Sequence, residues 1–121
     1  MTQTAQALYA FFSSFSIPAD VENTEPDDAA PPYITYELVE PDWRENMSFH
    51  ATLWYRDTSL AAISAKISEI RTALAEGISI KTESGAVYLW RDGNFAQIQS
   101  MDGDPTLKRG YLSLIMQANT S

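Results

Sequence analysis

The chain has 121 residues, with 16 Asp and Glu against 8 Lys and Arg, and its formal net charge is −8. This length predicts one domain, residues 1–121, and the 45% hydrophobic content is enough for a core, which excludes a chain disordered throughout. The absence of Cys excludes a disulfide framework, a thiolate metal site and a Cys nucleophile. The acidic balance argues against a protein that grips a nucleic-acid backbone, and no apolar run is long enough to cross a membrane.

The first predicted element is a helix over residues 3–15 that ends before Pro18. Its apolar side chains recur at steps of three and four residues. They are Ala5, Leu8, Phe12 and Phe15, and Tyr9 and Phe11 widen the stripe. Met1 to Thr4, which precede the apolar stripe, include no basic residue and so do not resemble a secretion signal.

Residues 19–32, called the acidic arm below, are rich in acids and prolines and show no periodicity. The acids are Asp20, Glu22, Glu25, Asp27 and Asp28. Prolines remove backbone donors, so we expect a surface segment that is either mobile or bridges to another subunit. A calcium loop would need oxygen ligands at alternate positions around a Gly, which this segment lacks, and no metal site is predicted.

A sheet is predicted to begin with strand 33–40, in which Ile34, Tyr36 and Leu38 share one face. The strand over residues 47–56 alternates cleanly, with Phe49 and Leu53 on one face and His50 and Trp54 on the other. The two strands predict an antiparallel hairpin.

A second helix is predicted over residues 59–76, capped by Thr58 or Ser59 and ended by Gly77. Its apolar stripe is Leu60, Ile63, Ile67, Ile70 and Leu74. Four strands follow, at 78–82, 86–91, 95–101 and 109–117, separated by turns at 83–85, 92–94 and 102–105. The order αββαββββ predicts an α+β fold, an antiparallel sheet with both helices packed on one face.

No motif for catalysis or cofactor binding is present. His50, the only histidine, lies on the polar face of a strand and is interpreted as a solvated side chain. No phosphate-binding glycine loop occurs, so no cofactor is predicted. A hydrolase with paired carboxylates stays open, because such partners can come from distant segments.

The aromatic residues are more informative. Tyr88 and Trp90 lie on the strand face opposite Val87 and Leu89, and Trp54 lies on the polar face of its own strand. A sheet covered by two helices buries one face only, so apolar residues on the other indicate either a curled sheet or a neighbouring subunit.

The order of four segments resembles the tail-completion and tail-terminator proteins of long-tailed bacteriophages and prophages. The segments are residues 31–38 (PPYITYEL), 51–56 (ATLWYR), 91–97 (RDGNFAQ) and 104–111 (DPTLKRGY). The resemblance implies a virion protein, assembled in the host cytoplasm, that forms a ring, commonly a hexamer, at the head-proximal end of the tail. It also implies the tail-tube protein and the head connector as partners, and no catalysis.

The family supplies no site residues, so the candidate contacts come from this sequence. They are Asp20, Glu22, Glu25, Asp27, Asp28, Trp54, Tyr88 and Trp90. In such a ring an acidic inner wall would repel phosphates, which makes DNA a passenger and not a ligand. The alternatives are a small ligand-binding or regulatory module, which predicts a pocket with convergent polar groups, and a hydrolase, which predicts two acids in one cleft.

Overall fold

The computed structural model describes residues 2–120, so Met1 and Ser121, the ends of the predicted domain, lie outside the described residues. The elements are α1 (Gln3–Ser13), β1 (Ala19–Val21), β2 (Tyr33–Tyr36), β3 (Asn46–Arg56), α2 (Ala61–Leu74), β4 (Ile78–Lys81), β5 (Ala86–Met101) and β6 (Asp104–Asn119). The strands form one sheet in the order β1-β2-β3-β6-β5-β4. The β1–β2 pair is parallel and all other pairs are antiparallel. The α+β class is confirmed.

Both helices pack on the same face of the sheet. Phe12 of α1 stacks on Tyr36 of β2, with ring centroids 4.6 Å apart. On α2, Ile63 and Ile67 lie over Gly110 of β6, where a Cβ would approach their Cδ1 atoms to 3.1 and 3.3 Å. This close approach explains why β6 carries a glycine at the point where α2 crosses it.

The apolar stripe of α1 is buried as predicted, apart from Tyr9, which is 49% exposed. Thr2 caps the helix by accepting a hydrogen bond from the backbone N–H of Ala5 at 3.1 Å. The helix ends at Ser13, two residues before the predicted end, and Ser16 follows in a left-handed conformation (φ 65°). Phe15 remains buried because the turn folds it back onto the core.

α2 runs from Ala61 to Leu74 and is shorter than predicted at both ends. Leu60, assigned to its apolar stripe, is 48% exposed, whereas the other four stripe residues are buried. Ser59 accepts a hydrogen bond from the N–H of Ala61 at 3.0 Å. At the carboxyl end, Ala75 already has a positive φ of 47°, so the helix ends before Gly77.

The strands depart from the predicted order αββαββββ at two places, giving αβββαβββ. Ala19–Val21, inside the predicted acidic arm, form the short edge strand β1. The predicted strands 86–91 and 95–101 are one strand, since residues 92–94 bulge without reversing the chain. The pairing shifts from Arg91 opposite Leu114 to Ala96 opposite Leu112, so the extra residues are absorbed as an irregularity.

The remaining strands follow the predicted alternation with shifted ends. Phe49 and Leu53 of β3 are buried, and so are Leu112 and Leu114 of β6. β2 ends at Tyr36, so Leu38 lies beyond the strand and is 45% exposed. In the part of the chain that the structure describes, no helix combines the length and apolarity that a membrane span requires.

Candidate subunit-contact surfaces

The sheet face away from the helices, called the open face below, carries aromatic, polar and charged side chains that no helix covers. Register places Tyr33, Trp54 and Arg109 side by side on β2, β3 and β6. The rings of Tyr33 and Trp54 stack with centroids 6.3 Å apart. The indole Nε1 of Trp54 donates to Oγ1 of Thr35 at 3.2 Å. Trp54 is therefore held in a fixed orientation within the open face.

A second group on the open face centres on His50. Its backbone N–H and its Nδ1 both contact Oε1 of Glu37, at 2.6 and 2.9 Å. Its ring stacks on Tyr111 at 4.6 Å, and the guanidinium of Arg109 lies 5.7 Å from the Tyr111 ring. His50 is thus a paired, half-buried side chain and not the solvated one that the sequence indicated.

The signal for the His50–Glu37 contact was present in the predicted hairpin. Tyr36 lies opposite Ala51, so Glu37 comes opposite His50 in an antiparallel pair. The N–H of Glu37 also donates to the carbonyl oxygen of His50 at 3.0 Å. Finding the pair from sequence would have required the hairpin register as well as the strand positions.

Tyr88 and Trp90 meet in a shallow groove of about 420 Å³ on the open face, next to the edge strand β4. Ser79 of β4 and Gln117 of β6 contribute polar groups to its wall. Tyr88 is 36% exposed. This groove, called the β4 groove below, is lined by Gly77, Ile78, Ser79, Tyr88, Leu89, Trp90, Gln117 and Asn119.

Trp54 lies on the same open face as the β4 groove but at a distance from it. Register aligns Trp54 with Arg109 and Trp90 with Ile115, so the two tryptophans align with positions about 20 Å apart along β6. The structure therefore brings two of the three predicted aromatic contact residues together and leaves the third in a separate cluster.

The acidic arm lies at the opposite edge of the sheet. Asp20 belongs to β1, and the N–H of Glu22 donates to the carbonyl oxygen of Tyr36 at 2.8 Å. Glu25 is half-buried. Burial of the Tyr33 hydroxyl raises the pKa of Tyr33, and the negative charge of Glu25 raises it further. Glu22, Asp27 and Asp28 are exposed. The arm thus presents three carboxylates to solvent beside a folded edge strand.

The net charge of the chain is confined to one region. Residues 20–45 carry nine acids and one base, Arg44, whereas the rest of the chain carries seven of each. This region contains β1, β2 and the loop that follows β2. The N–H of Arg44 in that loop donates to the carbonyl oxygen of Ala118 on β6 at 3.2 Å, so the acidic region extends from the β1 edge to the end of β6.

Residues 2–120 contain no group of three or more His, Asp or Glu side chains placed to hold a metal ion. Asp104 forms an ion pair with Arg56, with Nη1 and Oδ2 2.6 Å apart. Hydrogen bonds from Arg56 and Thr106 lower the pKa of Asp104 to about 2, so it is a poor proton donor at neutral pH.

The fold is shared with a chain from the virion of a gene transfer agent. No protein-family model matches the chain, and no curated protein sequence matches it. A solved structure of the virion of a native gene transfer agent contains a chain that is 14% identical and superposes with a TM-score of 0.66. The match covers 95% of this chain and 92% of the other. At this identity the match establishes a common fold over nearly the whole length of both chains.

Proposed function

We propose that the protein is a structural component of a phage-like particle. It works as a ring at the head-proximal end of the tail, where it ends growth of the tail tube and meets the head connector. The observation that carries the proposal is the end-to-end fold match to a chain of a gene transfer agent virion. The resemblance of the four sequence segments to tail-terminator proteins supports the same role.

The open face supports assembly on physical grounds. Tyr, Trp and Arg are enriched where protein interfaces gain most of their binding energy, and the open face carries Tyr33, Trp54, Arg109 and Tyr111 in one contiguous group. A neighbouring subunit that covered part of this face would remove apolar area from water. A ring role requires no catalytic residue.

A ligand-binding module is the second candidate, and the β4 groove favours it. Its volume of about 420 Å³ lies within the range of small-molecule sites, and Ser79, Gln117 and Asn119 supply polar groups. The groove is shallow, however, and lies at a sheet edge, where an added protein segment can also bind.

Negative-stain electron microscopy and light scattering test the ring proposal. The purified protein is examined alone and after mixing with the tail-tube protein of the same particle, and we expect closed rings or caps on tube ends. A matched pair of variants tests the contact surface, since Tyr88 and Tyr9 are both exposed but on opposite sides of the sheet. Tyr88→Ser should weaken assembly, whereas Tyr9→Ser should not.

A strictly monomeric protein that binds neither tube nor connector would contradict the ring proposal. A tight small-molecule complex that fills the β4 groove in such a monomer would favour the ligand-binding module.

The acidic inner wall is tested separately. Rings with net charge −8 per subunit should leave the electrophoretic mobility of duplex DNA unchanged at physiological salt.

A further inference from the structure

We propose that the turn Asp42–Glu45, called the Trp43 turn below, docks into an apolar pocket with a basic rim on a different protein of the same particle. The indole of Trp43 fills the pocket, and the carboxylates of Asp42 and Glu45 meet the rim. This inference rests on the proposed function, because it names the surface through which the ring meets a neighbour that is not a copy of this chain.

The Trp43 turn carries the most exposed large apolar side chain among residues 2–120, since Trp43 is 59% exposed. Leu38 and Met47, on either side of the turn in the sequence, are also exposed. Three of the six exposed large apolar side chains of the described residues therefore fall within residues 38–47. Such a concentration is typical of a surface that a partner covers, and tryptophan is enriched at the positions that dominate binding energy.

Contacts within the chain hold the Trp43 turn in place. The N–H of Glu45 donates to the carbonyl oxygen of Asp42 at 3.0 Å, which closes a β-turn with Trp43 and Arg44 at its centre. The N–H of Arg44 donates to the carbonyl oxygen of Ala118 at 3.2 Å and ties the turn to the end of β6. The guanidinium carbon of Arg44 lies 5.4 Å from the centroid of the Trp43 ring. The indole is therefore presented in a fixed position, which lowers the entropy lost when a partner binds it.

The charge of the turn defines the chemistry of the partner. Residues 40–45 carry three acids and one base, a net charge of −2, and all four of these side chains are exposed. The base, Arg44, lies against the Trp43 ring, and the carboxylates of Asp42 and Glu45 have no ion-pair partner among the described residues. Within those residues no group of acids is placed to hold a metal ion. The carboxylates therefore favour a protein surface that supplies Lys or Arg around the pocket.

A second copy of this chain does not offer such a surface. Outside residues 20–45 the chain carries seven acids and seven bases. Arg56 and Lys66 are ion-paired with acids of their own chain, and Lys108 is buried, which leaves a copy with no excess of free cations. Duplex DNA and anionic lipid carry negative charge that the turn would repel. The partner is therefore a different protein, and a ring at the end of a tail adjoins two of them, the tail-tube protein and the head connector.

A tryptophan variant tests the apolar part of the docking. Calorimetric titration with the purified tail-tube protein and head connector should show that one of them binds, and that Trp43→Ser weakens this binding about tenfold or more. Ring formation and the unfolding midpoint should not change, because Trp43 lies outside the core. Tyr9→Ser, which removes another exposed aromatic ring, is the control and should bind normally. Equal loss in the two variants, or binding that survives Trp43→Ser, overturns the docking.

A charge variant tests the basic rim. Asp42→Asn with Glu45→Gln should weaken the same binding about threefold or more at low salt, and the difference should vanish in about 1 M salt, where charges are screened. Asp27→Asn with Asp28→Asn makes the same change in net charge within the acidic arm and should leave binding unchanged. Tighter binding by the Asp42 and Glu45 variant would mean that the partner surface is not basic and would overturn the proposal.

Fluorine NMR locates the contact directly. The chain has three tryptophans, so fluorotryptophan gives one signal for each, and the signal of Trp43 is the one that Trp43→Phe removes. Unlabelled partner should shift this signal. A shift of the Trp54 or Trp90 signal alone overturns the docking, because it places the partner on the open face. Rings without partner binding through Trp43 overturn only the docking, whereas a monomer that binds a partner through Trp43 overturns the ring function and supports the docking.

Discussion

Replacing Ala75 by glycine should stabilise the protein, which is unusual for a substitution to glycine. Ala75 has φ 47° and ψ −124°, and the N–H of Gly77 donates to the carbonyl oxygen of Leu74 at 2.7 Å. These values place Ala75 at the second position of a type II′ turn, which requires a positive φ and favours glycine.

The magnitude follows from two opposing terms. A Cβ in this left-handed region costs about 1–2 kcal/mol, which the substitution removes. Glycine also gives the unfolded chain more freedom, which costs about 0.4–1 kcal/mol. The difference is a stabilisation of about 0.5–1 kcal/mol, which corresponds to a rise in Tm of about 2–4 °C for a domain of this size.

Urea and thermal unfolding followed by circular dichroism measure this effect. Ala65→Gly is the matched control, because Ala65 is exposed within α2, where glycine should lower the free energy of unfolding by about 1 kcal/mol. The two substitutions delete the same methyl group and should have opposite signs. If both destabilise the protein equally, the turn assignment at the end of α2 is refuted.

Two further predictions concern the close packing at Gly85 and the ion pair of Asp104. Gly85→Ala should destabilise the protein by about 2 kcal/mol or more, because a Cβ would lie 1.8 Å from the backbone oxygen of Asn119. Gly93→Ala is the control and should be nearly neutral, because nothing lies within 4 Å of a Cβ built at that position. Equal unfolding midpoints for the two variants would contradict the packing at Gly85. The pKa of Asp104 is lowered from 3.8 to about 2, so its stabilising effect is complete above about pH 4 and is lost as the pH falls toward 2. Urea titrations from pH 6 to pH 2 should therefore show a smaller pH dependence for Asp104→Asn, and identical slopes would argue against the ion pair with Arg56.

The periodicity of the sequence was sufficient to predict an element correctly wherever that element meets the core along one continuous apolar stripe. The stripe of α2 from Ile63 to Leu74 and the alternation of β3 and β6 were predicted correctly, as was the α+β class. These features depend on which residues are apolar and at what spacing, which is local information. The ends of the helices were less well predicted, because Phe15 and Leu60 continue the helical spacing of their stripes but lie outside α1 and α2.

Only the tertiary structure decided how the strands and side chains are arranged relative to one another. Residues 92–94 have the composition of a turn. The residues before and after them nevertheless both pair with β6, so β5 continues as one strand. β1 is too short to form alone and exists because β2 offers an edge for it. The same pairing brings His50 to Glu37 and separates Trp54 from Trp90.

The sequence by itself determined that the chain is acidic, lacks Cys and carries its whole excess of negative charge before residue 46. It could not determine that the first acids of this region lie beside one edge strand, whereas Tyr88 and Trp90 line a groove beside the opposite edge strand. That arrangement depends on strand order, which is set by contacts between residues distant in sequence. Such contacts leave no local pattern in the chain, because their energies are gained only when the whole sheet forms.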